Sequence, residues 1–426
     1  MDTNKRMTNT TLNQLAINPN CRDDYDPNAM SVQQARTFIQ QFLNPVVETE
    51  MLAIRESLGR ILAKDIVSPT NVPNHNNSAM DGFAFKYSEG IKMIKIIGTA
   101  FAGRPFKGEV KASECVKIMT GAVIPQGTDT VVMQENTVNK GEYINVLEAP
   151  KQGSNVRLAG EDLASGQTVL SKGHQLQAAD LGLLASLGFA TVLVNRQLKV
   201  AFFSTGDELI SVGKPLEQGQ IYDSNRYTIY GMLSQLNVQI SDLGVVPDQP
   251  DLLEKTLLEA ANQHDVVITS GGVSVGEADH MKALLGKHGQ VLFWKINMKP
   301  GRPLAYGKVG NAHYFGLPGN PVSAMVTFYQ FVRQALLRLM GKTIKPIPMF
   351  VVECTESIKK AKGRTEFQRG ILFEQNGLWK VKPLSSQGSG ILSSMSKANC
   401  FIVLDETIGN CEPGIHVNIQ PFEGVI

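Results

Sequence analysis

The chain has 426 residues and carries 41 Lys and Arg against 39 Asp and Glu, a formal net charge of +2. That length favours roughly two to four domains, and the balanced charge gives no support for nucleic acid or a membrane surface as a partner. No apolar run is long enough to span a membrane, and the five cysteines are scattered without a C-x-x-C pair. This usage favours reduced thiols in a cytoplasmic protein over disulfides or a zinc site.

The first elements are helical. Residues 1–28 are polar, lack a signal-peptide core and are predicted to form a disordered tail. A helix is predicted to begin at Ser31, a suitable N-cap, because apolar residues then fall on one face as far as Phe42. A second short helix is predicted over Ile54–Leu62, followed by a strand over Lys64–Val67.

Residues 68–162 are predicted to form a small all-β module. Its short β-type runs alternate with glycine-containing turns. Three polar residues lie in its loops: Asp81 after a Pro/Asn-rich loop, Thr120 just after a β run, and Asp162 in the return loop. The predicted strands are Met93–Gly98, Glu114–Met119, Thr130–Gln134 and Tyr143–Leu147. A helix over His174–Leu187 follows.

Strands and helices alternate from Gln197 to about Met340, which predicts a parallel sheet with helices on both faces. Ligands of such sheets bind at the carboxyl ends of the strands. The predicted strands are Gln197–Phe203, Val238–Val245, Asp265–Thr269 and Gln290–Asn297. The predicted helices are Asn225–Leu236, Asp251–Ala261, one after Asp279, and a long one ending near Met340.

The most informative loop follows the strand Asp265–Thr269. It reads Ser270-Gly271-Gly272, then Ser274 and Gly276, before a helical pattern. Glycines let the backbone approach a phosphate, and a helix N-terminus offers free N–H groups, so this stretch is a candidate anion cradle. The alternative is an ordinary glycine-rich βα turn. Pro318-Gly319-Asn320-Pro321 is likewise either a backbone anion site or a tight turn.

Carboxylates and cations share these strand-end loops. Hard oxygen ligands at Glu208, Asp248 and Asp279, without a histidine or cysteine set, suit Mg²⁺ better than zinc. Lys295 and Lys299 add cations nearby. Together they indicate phosphoryl or phosphate-ester chemistry. The alternative is that each is a solvated surface residue, or in the case of Asp81 a turn residue beside Gly82.

Beyond Lys345 the sequence is again β-rich, and short strands with glycine turns predict a small barrel. Arg369 lies in it, at a predicted strand end. The predicted strands are Met349–Glu356, Thr365–Leu372, Leu378–Pro383, Asn399–Leu404 and Gly414–Pro421.

Taken together, the motifs resemble the molybdopterin molybdenumtransferase family, which includes bacterial MoeA and the gephyrin E domain. The resemblance runs in order from about Ser31 to the C-terminus. One departure is Lys86, where this family usually shows arginine after its D-G-[YF]-A run. The motifs are S-A-M-D-G at 78–82, M-T-G-A at 119–122, G-E-D at 160–162, S-T-G-D-E-L at 204–209, T-S-G-G-V-S at 269–274, M-K-P-G at 298–301 and L-P-G-N-P at 317–321.

The resemblance implies a multidomain α/β plus β fold. A central three-layer α/β molybdopterin-binding domain with a parallel-dominated sheet would span residues 196–345. A discontinuous, elongated connector domain would take residues 29–67 and 163–195, with its N-terminal helix able to pack on the α/β domain. The β module, residues 68–162, would be inserted into the connector. A small β-barrel would occupy residues 346–426.

It also implies a reaction and a site. Molybdate would be inserted into adenylylated molybdopterin with Mg²⁺ and release of AMP, as the final step of molybdenum cofactor biosynthesis, by a cytoplasmic homodimer that works with the molybdopterin adenylyltransferase. The implied catalytic positions are Asp81, Thr120, Asp162, Glu208, Asp248 and Asp279, of which Glu208, Asp248 and Asp279 would hold Mg²⁺. The implied substrate-binding positions are Ser270, Gly271, Gly272, Ser274, Gly276, Lys295, Lys299, Pro318, Gly319, Asn320, Pro321, Arg369 and Ser389.

Two alternatives stay open at this point. One is a molybdopterin adenylyltransferase, because the α/β domain resembles that of this partner enzyme. The other is a gephyrin-like scaffold, which is disfavoured because the sequence shows neither a second enzymatic domain nor a long Pro/Ser-rich linker.

Overall fold

A computed structural model describes residues 30–272 and 280–422. They form two compact units. The large unit takes the chain up to Glu50, Gly59–Ile61 and everything from Asn195 onward, and the insert unit takes Met51–Leu58 and Leu62–Val194. The tail predicted for residues 1–28 lies outside the described residues, and the predicted domain boundaries stay a prediction.

The first helix begins where its sequence predicts. Ser31 Oγ accepts the Gln34 N–H at 3.2 Å and Gln34 Oε1 accepts the Ser31 N–H at 2.9 Å, a reciprocal capping box. Across the part of the chain that the structure describes, no helix is long and apolar enough to cross a membrane. The helices are α1 Val32–Gln41, α2 Ala178–Ser186, α3 Ser224–Ser234, α4 Pro250–Gln263, α5 His280–His288, α6 Pro321–Thr327, α7 Arg333–Leu339 and α8 Ser393–Lys397.

The helix predicted over Ile54–Leu62 is wrong. A single 3-10 turn forms at Ile54–Glu56. The chain then pairs as an extended segment, because Leu62 bridges Val194 and the Ala63 N–H donates to the Leu193 carbonyl at 3.0 Å. Tertiary pairing has overridden the local helical pattern.

In the insert unit, a six-stranded sheet has the order β7-β4-β6-β5-β9-β8. Both of its faces are buried: Phe83 and Phe85 pack on one side and Ala84 on the other. The four strands predicted for the β module are confirmed as β5, β6, β7 and β9, whereas β4 and β8 of this sheet were not predicted. The strands up to the end of this unit are β1 Thr49–Ala53, β2 Ile66–Val67, β3 Asn77–Ser78, β4 Gly82–Phe85, β5 Met93–Ala100, β6 Glu114–Ile118, β7 Thr130–Met133, β8 Thr137–Lys140, β9 Tyr143–Val146, β10 Val156–Arg157, β11 Thr168–Leu170 and β12 Thr191–Asn195.

The large unit contains a second six-stranded sheet, of order β16-β13-β17-β21-β20-β18. Its first four strands are parallel, and β20 runs antiparallel to both neighbours. The parallel-dominated sheet is therefore confirmed, but β20 and β21 were not predicted as strands. The strands of this part are β13 Lys199–Thr205, β14 Leu209–Ile210, β15 Ile221–Tyr222, β16 Gln239–Val246, β17 Val266–Ser270, β18 Gly289–Lys295, β19 Met298–Lys299, β20 Pro303–Val309 and β21 Ala312–Leu317.

Helices cover both faces of this sheet. Phe202 and Ile268 belong to a core that includes residues of α1, α3, α6 and α7. The next residue in β13, Phe203, belongs to a second core that includes residues of α4 and α5. Alternation along each strand thus sends successive apolar side chains into different layers.

The C-terminal strands close into a five-stranded barrel, β23-β24-β22-β26-β25, because β23 also pairs with β25. Cys400, Ile402 and Leu404 fill the barrel interior. Phe401, pointing the other way, packs into the core shared with α6 and α7. The strands are β22 Phe350–Cys354, β23 Thr365–Gln375, β24 Leu378–Pro383, β25 Cys400–Leu404 and β26 His416–Pro421.

Candidate active site

The loop after β17 packs tightly against the end of β13. Gly271 and Gly272 have φ of 90° and 67°, which other residues rarely adopt. A Cβ on Gly271 would lie 2.4 Å from the Thr205 carbonyl oxygen, and one on Gly272 would lie 3.0 Å from Met281 Cβ in α5. The packing and the positive φ therefore require glycine at both positions, and the anion cradle stays a prediction. Its remaining predicted residues, Ser274, Gly276 and Asp279, lie outside the described residues.

Asn225, in the first turn of α3, contacts two of the predicted loops. Its Nδ2 donates to Ser270 Oγ at 2.7 Å and to the Gly319 carbonyl at 2.7 Å. The residue is only 7% exposed. The sequence interpretation missed it because a polar residue at a helix start is usually a cap. The cap is in fact Asp223, which accepts the Arg226 N–H at 3.1 Å.

The Pro318–Pro321 loop joins β21 to α6, with Pro321 as the first helical residue. The following N–H, of Val322, donates to the Ser389 carbonyl at 3.0 Å. Ser389, predicted from the resemblance alone, is therefore brought to this loop. That N–H is satisfied by the protein, so an anion at this loop would rely on other donors.

The two predicted lysines lie beside this sheet edge. Lys295 ends β18, which runs parallel to β21. Lys299 lies in β19, which pairs with β23 of the barrel. Its Nζ is 3.6 Å from Glu366 Oε1, with side chains 53% and 4% exposed respectively. A buried carboxylate thus restrains an accessible ammonium group.

Arg369 is 1% exposed, which the sequence did not predict. Its Nε donates to Ser394 Oγ at 3.1 Å, and its Nη2 donates to the carbonyls of Ser386 and Gly388 at 3.4 and 3.2 Å. Burial lowers the pKa of the guanidinium to about 10. These contacts give Arg369 a supporting role for the loop that carries Ser389. The predicted contact with an oxyanion stays a prediction.

The predicted carboxylates follow adjacent strands. Thr205 at the end of β13 is the register partner of Val246 at the end of β16. The Asp248 N–H donates to Asp207 Oδ1 at 3.3 Å, so the loop of Glu208 and that of Asp248 are in contact. Within residues 30–272 and 280–422, no group of three or more His, Cys, Asp or Glu could hold a metal ion. The third predicted ligand, Asp279, lies outside those ranges.

In the insert unit, Asp81 and Thr120 are in direct contact. Asp81 Oδ1 accepts the Thr120 N–H at 2.7 Å and the Thr120 hydroxyl at 2.8 Å. These hydrogen bonds, with Lys117 nearby, lower the pKa of Asp81. Its carboxylate is exposed and ionised. The Asp162 N–H donates to the Val72 carbonyl at 3.1 Å, which anchors the return loop.

Lys86, the departure from the family pattern, forms an ion pair with Asp129 at 3.1 Å. Burial opposes ionisation of Asp129, but hydrogen bonds from Tyr87, Lys86, Thr130 and Gln152 outweigh it, so its pKa is lowered. Lys86 therefore forms an ion pair inside the insert unit.

Comparisons with known protein families cover most of the chain. Residues 30–188 match a profile described as the MoeA N-terminal region, domains I and II. Residues 201–338 match a probable molybdopterin binding domain. Residues 351–422 match the MoeA C-terminal region, domain IV.

Whole-chain relatives agree. A molybdopterin molybdenumtransferase from Haemophilus influenzae is 48% identical over 402 residues, covering 93% of this chain and 100% of that protein. A gephyrin from Dictyostelium discoideum is 34% identical, covering 89% of this chain but 60% of that protein. Among solved structures, the molybdopterin biosynthesis MoeA protein from Pyrococcus horikoshii OT3 has a TM-score of 0.81 at 30% identity, covering 92% of this chain and 100% of that one.

Proposed function

Because this chain belongs to the molybdopterin molybdenumtransferase family, we propose that it inserts molybdate into adenylylated molybdopterin and releases AMP. The observation that carries the proposal is the full-length similarity to a protein of that name, at 48% identity. The strand-end loops that the motifs predicted also meet at one edge of the α/β sheet. The similarity favours a molybdenumtransferase over the two alternatives.

The Gly271–Gly272 loop would hold a phosphate of the substrate. The Gly271 N–H donates to the Leu317 carbonyl, so a phosphate would rely on the N–H groups that follow it towards α5, which begins at His280. Asn225 fixes this loop to the loop at Gly319, so both would contact the same substrate molecule. Backbone donors suit a phosphate because they are already oriented and need no reorganisation.

Lys295 and Lys299 would hold molybdate. Molybdate is a dianion, and ammonium groups can replace its lost hydration with charge-assisted hydrogen bonds. The 3.6 Å contact with buried Glu366 keeps the Lys299 ammonium group near the barrel strand while leaving it accessible. Arg369 would support the same region through the loop of Ser389.

The donor chemistry at the ends of β13 and β16 fits Mg²⁺. Glu208 and Asp248 supply carboxylate oxygens from touching loops, and Asp279 is the third proposed ligand. Bound there, the ion would polarise the phosphoanhydride of the adenylylated substrate. Asp81, held ionised by Thr120, is proposed to act with these groups, as is Asp162.

The assembly and setting are also proposals. We propose a cytoplasmic homodimer that receives its substrate from the molybdopterin adenylyltransferase. The dispersed cysteines suit a reducing compartment, and Cys115, Cys354, Cys400 and Cys411 are buried free thiols.

An AMP assay tests the reaction. Purified protein is incubated with adenylylated molybdopterin, molybdate and Mg²⁺, and both AMP and active molybdenum cofactor are measured. We expect molybdate-dependent AMP release without consumption of added ATP. Consumption of ATP with molybdopterin would instead identify an adenylyltransferase, and the absence of AMP and cofactor would contradict the proposal.

A further inference from the structure

We infer that Asn225 is a positioning residue of this site: its side-chain amide ties the end of β17 to the loop after β21, so that the two bind the molybdopterin part of the substrate as one surface. The inference rests on the proposed function. It concerns a residue that does not itself contact the substrate.

The geometry of the amide carries the inference. One nitrogen, Nδ2, donates to Ser270 Oγ and to the Gly319 carbonyl, both at 2.7 Å. Ser270 is the last residue of β17, and Gly319 lies in the loop that follows the neighbouring parallel strand β21. The last backbone bond between the strands runs from the Gly271 N–H to the Leu317 carbonyl at 3.2 Å. Asn225 extends this connection from the end of β17 to the loop after β21.

The arrangement demands an amide. A two-proton donor can satisfy both acceptors at once, whereas a carboxylate of the same shape would repel the Gly319 carbonyl. At 7% exposure, Asn225 leaves little room for water to replace a lost bond. The amide oxygen, Oδ1, is buried and has no hydrogen-bond partner within the described residues.

The starting point of α3 is itself fixed. Asp223 caps the helix through the Arg226 N–H, and Ile229 and Leu233 anchor it in the core. Asn225 is therefore presented from a rigid element to two loops, which is how a supporting residue sets the geometry of a binding surface.

Asn225→Asp tests the inference because it keeps the shape and the helix start but loses the donor. We expect the Kd and KM for adenylylated molybdopterin to rise about tenfold, with kcat and the KM for molybdate within about twofold of wild type. Hydrogen exchange should accelerate at Gly271–Gly272 and Pro318–Val322 but not within β17 and β21. If Asn225 only stabilised the fold, hydrogen exchange would instead accelerate within β17 and β21, and kcat and the affinity for adenylylated molybdopterin would fall together.

Asn410→Asp is the matched control. Asn410 Oδ1 accepts the Lys360 N–H at 2.9 Å, the one side-chain hydrogen bond of Asn410 among the described residues, and an aspartate keeps that acceptor. This variant should bind the substrate normally. Should Asn225→Asp fail to fold, Asn225→Ser gives the same test, because serine is favourable at a helix start and too short for both bonds.

The outcomes separate the two proposals. Absence of binding by the wild-type protein would overturn the proposed function. Wild-type binding with unchanged Kd and loop exchange in the Asn225 variant would overturn the positioning role alone.

Discussion

Single residues decide whether the candidate phosphate loop can form. Gly272 has a φ of 67°, and a side chain there would press on Met281 and the Thr205 methyl group. Gly310, in the turn between β20 and β21, has a similar φ of 58°, but a Cβ added there would meet no atom within 4 Å. The two glycines therefore separate backbone strain from crowding of the loop.

We predict that Gly272→Val lowers the affinity for molybdopterin about a hundredfold while the protein stays folded, because displacement of the loop misplaces its N–H groups. Titration calorimetry with molybdopterin measures the effect. Gly310→Val carries the same strain of about 1–2 kcal/mol and should bind normally. Normal binding by the Gly272 variant would place the phosphate elsewhere.

Arg369 supports the loop that carries Ser389 from inside the barrel. We predict that Arg369→Ala raises the KM for molybdate about tenfold and leaves the affinity for molybdopterin within about twofold. Steady-state assays over a range of molybdate concentrations measure this. Ser394→Ala removes one hydrogen-bond partner of the guanidinium without removing its charge, and should show a smaller change in the same direction. An unchanged molybdate dependence in the arginine variant would remove Arg369 from the site.

The site residues differ in how far the sequence could predict them. Gly271 and Gly272 are visible because a glycine pair after a buried strand is a local signal with a local cause. Asn225 is not, since its partners lie 45 and 94 positions away and its role exists only after folding. The burial of Arg369 was equally hidden, because the sequence interpretation placed it at a strand end, where an arginine is expected to be exposed. That placement is wrong: Arg369 lies in the middle of β23 and pairs with Phe401 of β25.

At the scale of elements, the long helix predicted to end near Met340 is interrupted where it contacts α1 and β26. Between α6 and α7, Phe328–Val332 form a π-helical turn. The Gln330 carbonyl there accepts the Arg36 Nε–H from α1 at 3.1 Å, and its Nε2 donates to Gln420 Oε1 of β26 at 2.9 Å. A π turn frees a carbonyl from the regular ladder, which explains how a buried helix can accept this arginine.

Strand β25 joins the barrel to the helical layer by alternation. Phe401 is fully buried, with its ring centroid 4.7 Å from that of Phe422 and 6.4 Å from that of Tyr329 in the π turn. Its neighbours in the strand fill the barrel instead. The barrel and the α/β sheet therefore share a core, which predicts that they unfold together.

We predict that Phe401→Ala destabilises the large unit by about 3–5 kcal/mol, the usual cost of removing a buried aromatic ring. Native-state hydrogen exchange should show the loss in β17 of the sheet as well as in β24 of the barrel. Leu378→Ala, at a barrel residue that is 64% exposed, should change neither. Wild-type protection of β17 in the Phe401 variant would mean that the barrel unfolds alone.

Helices and strands were predicted well where the apolar periodicity is strong. They were missed where pairing with another strand determines the conformation. Strand β20 was not predicted because its pattern lies between two loops and because it pairs antiparallel, unlike the four parallel strands of the sheet. The segment at Leu62 had a helical pattern but pairs with Val194. In both cases pairing with another strand decided the structure, from a neighbouring hairpin strand for β20 and from a distant segment for Leu62.

At the scale of the whole molecule, the proposed catalytic residues are divided between the two units. Asp81 and Thr120 belong to the insert unit, whereas Glu208 and Asp248 belong to the large unit. The sequence predicted both groups from their motifs, but how copies of the chain combine them is a property of the assembly. The proposed homodimer would let one subunit supply the first group and its partner the second.

Subunit mixing tests this arrangement. Asp81→Ala and Asp279→Ala homodimers should each be nearly inactive. After exchange, about half of the dimers would be heterodimers, each with one doubly damaged and one intact site, so activity should return to about a quarter of wild type. A mixture of Asp81→Ala and Thr120→Ala is the matched control: both changes affect the same group, so every site stays damaged and no activity should return. If mass measurement confirms exchange and the first mixture also stays inactive, the residues of one site come from one chain.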